Sequence, residues 1–421
     1  MTHKIGIIGG GAAGMMAAMS AKSENSDVSV TIFDKNPSLG AKVIISGGGR
    51  CNVTTGYTDV EEVLKKYPRG NKFLKNAMYA FGPADTYKWF EDHGVKLKVE
   101  KDMRVFPVSN DGHDIVGAFE QFFDTQNVDV KCGTDIKSVK KVGEKFILTN
   151  SPGKEFEFDR LIVTTGGQAY RHTGSSGDGY CFAEALGHST TSLGPSLNSF
   201  VLAETFAKDL AGVSLENVTM RAILKDGKKV SYSGPFVWTH KGISGPATFA
   251  MSAFSTFEIC SKESPLILYV DFVPSLTLRE LETHAFDFIK NYPKKPFFGI
   301  FHEFMPKSVL QKLIQNSANP CNETKHTVVR STCEKLKNHP LTVIGRGQGS
   351  EFVTAGGVDT AEIDPKTMES RICEGLFFAG EVMNIDGFTG GYNLQASWAT
   401  GRMAGINAAD EDADMGSVKN N

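Results

Sequence analysis

Apolar and polar positions along this chain follow two periods. Lys4–Ile8 is a short apolar run that predicts a buried strand, and Gly14–Ser23 predicts a helix. Val28–Asp34 reads as a strand with β-branched alternation. Lys72–His93 reads as one helix anchored by Phe73, Ala77, Phe81 and Trp89, and His113–Gln126 as another. Strands are expected at Val128–Lys131, Ile136–Val142, Lys145–Asn150 and Arg160–Thr164. Short strands fill the stretch from about Leu193 to Phe272, among them Thr219–Leu224 and Leu266–Asp271. Leu276–Asn291, Pro306–Asn316 and Lys325–Asn338 return to helical spacing, and Gly375–Ala379 and Asn393–Ala408 add a strand and a helix. Strands alternating with helices at both ends predict a parallel sheet.

Glycine divides this pattern. Residues 1–60 hold ten glycines, residues 274–344 only Gly299, and residues 375–405 seven. Gly-rich loops at both ends of a Gly-poor middle suggest a discontinuous domain carrying an insertion. The expected organisation is an α/β Rossmann-like domain from 1–192 and 345–421, a β-rich insert at 193–273 and a small helical part at 274–344.

Composition narrows the class of protein. The 421 residues carry 45 Lys+Arg against 48 Asp+Glu, a net charge of −3 with no long basic tract, which argues against a nucleic-acid partner. Seven cysteines, an odd number without a C-x-x-C pair, argue against a disulfide framework or a zinc ribbon and for reduced thiols in the cytoplasm. No metal site is expected. Ile5–Ala21 is apolar enough to imitate a signal peptide, but Gly6, Gly9, Gly10, Gly11 and Gly14 break it, and no stretch suggests a membrane span.

The chemistry begins at Gly9-Gly10-Gly11-Ala12-Ala13-Gly14, which fits G-x-G-x-x-G between a predicted strand and helix. Gly9 allows the tight turn, Gly11 lets backbone approach a pyrophosphate, and Gly14 lets the helix pack on the sheet. The helix N-terminus offers free N–H groups to phosphates. Asp34 ends the next strand 20 residues after Gly14, the offset expected for an acceptor of ribose hydroxyls. An acid there favours FAD or NAD over NADP. Lys35 and Lys42 flank this region.

Three further clusters follow. In Ser46-Gly47-Gly48-Gly49-Arg50-Cys51-Asn52, Gly48 and Gly49 suit close backbone approach, Arg50 could pair with a phosphate, and Asn52 could meet a heterocycle edge. Cys51 either faces a cofactor or is a packed thiol. Thr165, Gly166 and Gly167 end a strand, and Gly174–Tyr180 forms either an anion nest or a helix cap. Near the C-terminus come Gly380, Glu381, Asp386, Gly391, Tyr392, Asn393 and Leu394, opening a second helix. A helix N-terminus there suits the negative charge of a reduced flavin.

On these residues the chain resembles the bacterial flavoproteins that include aminoacetone oxidase and bile-acid 3-dehydro ene reductase. The matching stretches are GIIGGGAAGMMAA, GAKVIISGGGRCNVT, RVFPVS, TGGQAYRHTGSSGDGY, THKGISGP and AGEVMNIDGFTGGYNLQASWATGRMAG, from residue 5 to 405. The resemblance implies non-covalent FAD, with Asp34 on the adenosine ribose and Arg50 and Asn52 along the cofactor. It places Gly380 and Glu381 near the ribityl–phosphate region and Asn393 and Leu394 near the ring, and it has Ile136 meet the adenine through backbone. Thr55, Arg171-His172 and Asn384 depart from the pattern and bear on substrate more than on FAD.

The expected activity is a FAD-dependent oxidoreductase exchanging a hydride between flavin N5 and a small organic substrate, by reducing an activated C=C bond or oxidising an amine. No second G-x-G-x-x-G stands between a strand and a helix, so NADH or NADPH would serve as a transient donor without a domain of its own, or O2 would be the oxidant. The alternative is a nucleic-acid-associated, tRNA-modifying flavoprotein. For the proton, His240 in Thr239–Pro246 is the candidate, either as donor or as a residue fixing that loop. Tyr170, His172 and Arg104 are weaker candidates.

Overall fold

The computed structural model describes residues 3–349 and 351–410, which fall into two compact units, Met1–Pro195 with Phe352–Asn421 and Ser196–Glu351. In the first, five strands form a parallel sheet in the order Leu376–Phe378, Arg160–Val163, Lys4–Ile8, Ser29–Phe33 and Asp129–Lys131. The register sets Ile7 beside Ile32 on one side and Ile162 on the other. Arg160–Val163 and Leu376–Phe378 are buried along their whole length, as strands covered on both faces must be.

One cover is the crossing of two helices, Ala12–Glu24 and Tyr392–Ala409. Small residues let their backbones meet: a Cβ on Gly401 would stand 2.4 Å from the Ala13 carbonyl oxygen, and one on Gly405 2.2 Å from that of Ala17. The first helix buries every residue from Ala12 to Ala21. It therefore shows no amphipathic stripe, as expected of a helix buried all round.

The Lys72–His93 segment departs from the single helix predicted. It forms two, Lys75–Ala80 and Pro83–Asp92. Pro83 has no N–H with which to continue the first helix but suits the first turn of the second. The Asp85 carboxylate accepts from the Gly82 N–H at 2.9 Å and caps that start.

The second unit is built on a closed six-stranded barrel. Its strands, in neighbour order, are Phe200–Leu202, Gly242–Ser244, Lys229–Trp238, Ser214–Ile223, Leu266–Asp271 and His339–Arg346, which pairs back with the first. Trp238, Met220, Leu268 and Val343 share one apolar core with Leu281, Phe301, Leu310, Val329 and Leu336 from the helical segments. The parts read from the sequence as 193–273 and 274–344 share this core from Ser196 onward, and their unit runs on to Glu351. The last barrel strand follows the helices in the chain, so the helices are an insertion between two neighbouring barrel strands, Leu266–Asp271 and His339–Arg346.

Candidate functional site

All pairings of the five-stranded sheet are parallel, so its strands end along one edge. Gly9, Asp34, Thr164 and Ala379 follow four of those ends directly. The chain lays Ser29–Phe33 and Asp129–Lys131 on one side of Lys4–Ile8 and then Arg160–Val163 and Leu376–Phe378 on the other, which makes Lys4–Ile8 the switch point where α/β folds bind ligands, in the crevice beyond the strand ends.

The glycine turn is built for this place. Gly9 has φ +107 and its N–H donates to the Phe33 carbonyl at 2.8 Å. A Cβ on Gly14 would lie 1.9 Å from the Gly9 carbonyl oxygen. The Thr164 hydroxyl donates toward the Ile8 and Gly9 carbonyls at 3.0 and 2.8 Å and ties the turn to the next strand. Gly11 differs: a Cβ there would meet nothing within 4 Å, so the backbone at the helix start faces open space. Ala12 and Ala13 are buried behind it.

Asp34 is half-buried beside this turn. Its carboxylate accepts from the Gly10 and Asn36 amides, both at 2.8 Å. Burial pushes its pKa up, while the two amides and Lys35 pull the other way. Lys35 reaches away from the strand end to the start of the Asp178–Ala185 helix, where it pairs with Asp178 at 2.6 Å and bonds Ser176. The Gly174–Tyr180 segment thus acts as a helix start carrying an acid, with a lysine on that acid.

Lys42 and Glu381 join the two ends of the chain by an ion pair of 2.5 Å. The other Glu381 oxygen accepts from the Thr354 N–H at 2.9 Å, and the Thr354 hydroxyl in turn accepts from the amides of Gln168 and Ala169. Gly380 donates to the Thr400 hydroxyl at 3.0 Å. Thr354 and Thr400 were missed in the sequence, where no local motif marks a threonine that meets partners from other segments. Gly166 takes φ +72, and Gly167 packs so closely that a Cβ would stand 2.6 Å from the Thr354 hydroxyl. The Thr165 and Tyr180 hydroxyls are buried without a hydrogen-bond partner among the described residues. Burial pushes the Tyr180 pKa well up, and Glu381 adds to this.

Other candidates are also engaged with protein groups. Arg50 pairs with Glu100 at 2.7 Å and stacks over Phe106 at 3.8 Å, so its guanidinium is held by protein groups. Gly48 and Gly49 beside it are exposed, with open space where a Cβ would be. Cys51 is fully buried and its thiol is pushed up to about 12 by burial, which makes it a packed thiol. Asn52 donates to the Thr54 carbonyl at 3.2 Å and accepts from the Gly391 N–H at 2.9 Å, which fixes the start of the C-terminal helix. Asp386, its side chain fully buried, is paired with Arg69 through both carboxylate oxygens. Asn393 clasps the backbone of Gly387 in both directions, at 2.8 and 2.9 Å, and the Tyr392 carbonyl accepts from the Tyr67 hydroxyl at 2.6 Å. Leu394 is half-exposed on the same turn, and Ile136 is buried at the start of a hairpin strand. Arg69 and Tyr67 are further supports of this loop that no spacing rule picks out.

His240 lies in the second unit, exposed in the turn between Lys229–Trp238 and Gly242–Ser244. The turn is closed by Thr239, whose hydroxyl accepts from the Gly242 N–H at 3.1 Å. Among the described residues no helix is long and apolar enough to cross a membrane, and no group of three or more His, Cys, Asp or Glu is placed to hold a metal.

The residues at the crevice fit FAD. An open helix start, a half-buried carboxylate at the adjoining strand end and two buried unpartnered hydroxyls are what a dinucleotide with phosphates and many polar atoms would complete.

Comparison with known proteins agrees. Residues 3–407 match the family described as HI0933-like protein Rossmann domain. The chain is 30% identical over 414 residues to the 3-dehydro-bile acid delta(4,6)-reductase of Clostridium scindens, covering 97% of this chain and 99% of that protein. It is 28% identical over 400 residues to the ribosomal RNA dihydrouridine synthase of Escherichia coli, covering 94% and 95%. Among solved structures, the 3-ketosteroid delta1-dehydrogenase from Sterolibacterium denitrificans aligns with a TM-score of 0.50 at 10% identity over 97% of this chain and 100% of that one, a likeness of fold alone. With a glycine turn, acidic strand end and discontinuous sheet all in register with the matched span, the chain belongs to the HI0933-like family of FAD-binding Rossmann proteins and is a flavoprotein oxidoreductase.

Proposed function

We propose that this protein reduces a carbon–carbon double bond conjugated to a carbonyl, using NADH or NADPH as the electron source. The observation that carries the reading is the bond shared by two full-length relatives. A delta(4,6)-reductase of a 3-dehydro bile acid saturates double bonds conjugated to a ketone, and dihydrouridine is uridine with its conjugated ring double bond saturated. The substrates differ in size and charge, but each accepts a hydride at the carbon β to a carbonyl and a proton at the α carbon.

FAD, when bound, supplies the two-electron chemistry that such a reduction needs. The chain's own residues do the holding. Asp34 would accept from ribose hydroxyls, and the amides at the start of the Ala12–Glu24 helix would hold the phosphates. The Thr165 and Tyr180 hydroxyls are buried without a partner among the described residues and would gain one if the bound cofactor reached them. Asn52 and Asn393 hold the start of the C-terminal helix in one shape, which keeps its N-terminus fixed for negative charge. His240 is the proton-donor candidate: its imidazole makes no polar contact among the described residues and its turn is already closed by Thr239.

The test is anaerobic. NADH or NADPH is added to the holoprotein and loss of the visible flavin absorbance is followed. A 3-oxo-4,6-diene steroid and a uridine-containing RNA are then supplied in separate runs. Return of the absorbance, with a product that has gained two hydrogens by mass, is expected with one of them. Bleaching that neither acceptor reverses, or a product with its double bond intact, overturns the reading.

A further inference from the structure

The chain's net charge of −3 conceals a basic region. Residues 288–338 carry nine Lys and Arg against three Asp and Glu. Three of those cations are engaged within the protein: Lys312 pairs with Asp209, Lys337 with Asp271, and Lys335 donates to the Leu313 carbonyl. Lys290, Lys294, Lys295, Lys325 and Arg330 are exposed and form no ion pair among the described residues.

The fold gathers these five into one strip. Lys290 is the next-to-last residue of the Leu278–Asn291 helix, and the His326–Lys337 helix begins after Lys325. The connecting loops lie side by side: Asn322 N–H donates to the Pro293 carbonyl and Cys321 N–H to the Lys295 carbonyl, both at 2.9 Å, and Pro296 bridges to Pro320. Across the helices, the Phe286 ring lies 4.9 Å from the His326 ring and 5.9 Å below the Arg330 guanidinium. Phe286 and Lys290 stand four residues apart on one helix, and His326 and Arg330 four apart on the other, so each pair shares a face. Tyr292 stands in the middle of the strip with 52% of its surface exposed. The acids of this stretch are Glu303, Glu323 and Glu334, and Asp287 stands just before it.

We propose that this strip binds single-stranded RNA, the cations tracking its phosphates and Tyr292 stacking on a base. A groove of Lys and Arg interleaved with exposed aromatic rings is what single-stranded nucleic acid requires, because each base offers a ring face and each linkage a charge. An anionic membrane fits less well. A helix lying on lipid must present an apolar face to it, and here Leu281, Ala285, Val329, Cys333 and Leu336 face the barrel core. The proposal goes beyond the reductase reading and does not depend on it.

The experiment follows the anisotropy of a fluorescently labelled oligouridine, about 20 nucleotides long, on titration with holoprotein. Affinity is expected to fall steeply with salt. In the variant Lys294→Glu/Lys295→Glu/Lys325→Glu/Arg330→Glu, the salt slope is expected to drop by about 3 and affinity at moderate salt by at least about 10-fold. Tyr292→Ala is expected to weaken binding by about 5- to 150-fold with an unchanged salt slope. The altered residues are on the surface, so both variants should keep their melting temperature and bound flavin. Should a variant unfold, the neutral set Lys294→Gln/Lys295→Gln/Lys325→Gln replaces it with the same expected direction. Wild-type protein that ignores the RNA, or charge reversal that leaves RNA binding intact, overturns the proposal. So does charge reversal that abolishes binding only to phosphatidylcholine vesicles containing phosphatidylserine. Wild-type protein that does not bind RNA but still reduces a conjugated steroid removes the strip and spares the reductase reading; wild-type binding without any reduction does the reverse.

Discussion

Asp34 shows how much one side chain can be asked to do. Its carboxylate already accepts from the Gly10 and Asn36 amides, so it stiffens the glycine turn and faces the crevice together. Asp34→Ala is expected to weaken FAD by about 1–3 kcal/mol, or about 5- to 150-fold, because ribose hydroxyls lose a charged acceptor. Titrating FAD into apoprotein checks this, and unchanged affinity would remove the ribose assignment. His240 gives a cleaner separation of roles. It is exposed and its turn is closed by Thr239, so His240→Gln should leave the melting temperature unchanged. Turnover should fall by about 10²- to 10⁴-fold if the imidazole delivers the proton. A stable variant with full turnover strikes His240 from the chemistry. Arg50, Asn52 and Asp386 carry the opposite lesson. Each has the right chemistry for a ligand, yet their polar groups are held by Glu100, by Gly391 and Thr54, and by Arg69. Those partners lie in other segments, and spacing along the chain does not report them.

At the scale of elements, the crossing of the Ala12–Glu24 and Tyr392–Ala409 helices positions the glycine turn at residues 9–14. Gly401 sits where a Cβ would intrude to 2.4 Å on the Ala13 carbonyl oxygen. Gly401→Val is expected to destabilise the protein by about 1–3 kcal/mol through overpacking. Since Ala13 lies in the turn's first helical residues, FAD should also be lost more readily on gel filtration. A variant that melts normally and retains its flavin would show that this crossing tolerates separation. The division of the 72–93 segment was legible in part: Gly82-Pro83 is a breaker in the sequence, but Phe73, Ala77, Phe81 and Trp89 keep a helical spacing across it. Periodicity reports which face is apolar, and two successive helices can bury the same face.

For the molecule as a whole, acid is the informative perturbation. Burial lowers His339 from the ordinary imidazole value to about 4, with Lys335 adding to the effect. His188, buried between Glu362 and Ser370, is also lowered, by burial. The unfolded chain therefore takes up protons near pH 6.5 that the folded protein refuses. This stability is present above pH 6.5 and is lost as the pH falls toward about 4. Melting temperature should fall across that window, and His339→Asn should flatten the decline. A decline with the same slope in the variant would place its source elsewhere.

The parallel sheet, the glycine turn and the acid at the end of its second strand were determined by the sequence alone. They rest on local rules: a buried strand is a continuous apolar run, a tight turn needs glycine, and the offset from Gly14 to Asp34 spans one helix and one strand. The order of strands in the sheet, the closure of the barrel by His339–Arg346 and the partners of Arg50, Asn52 and Asp386 were decided only by tertiary structure. So was the gathering of Lys290, Lys294, Lys295, Lys325 and Arg330 along two helix ends. The physical reason is the same in each case. Hydrogen bonds, ion pairs and charge patches act over a few ångströms of space, and only folding brings residues so distant along the chain within that range.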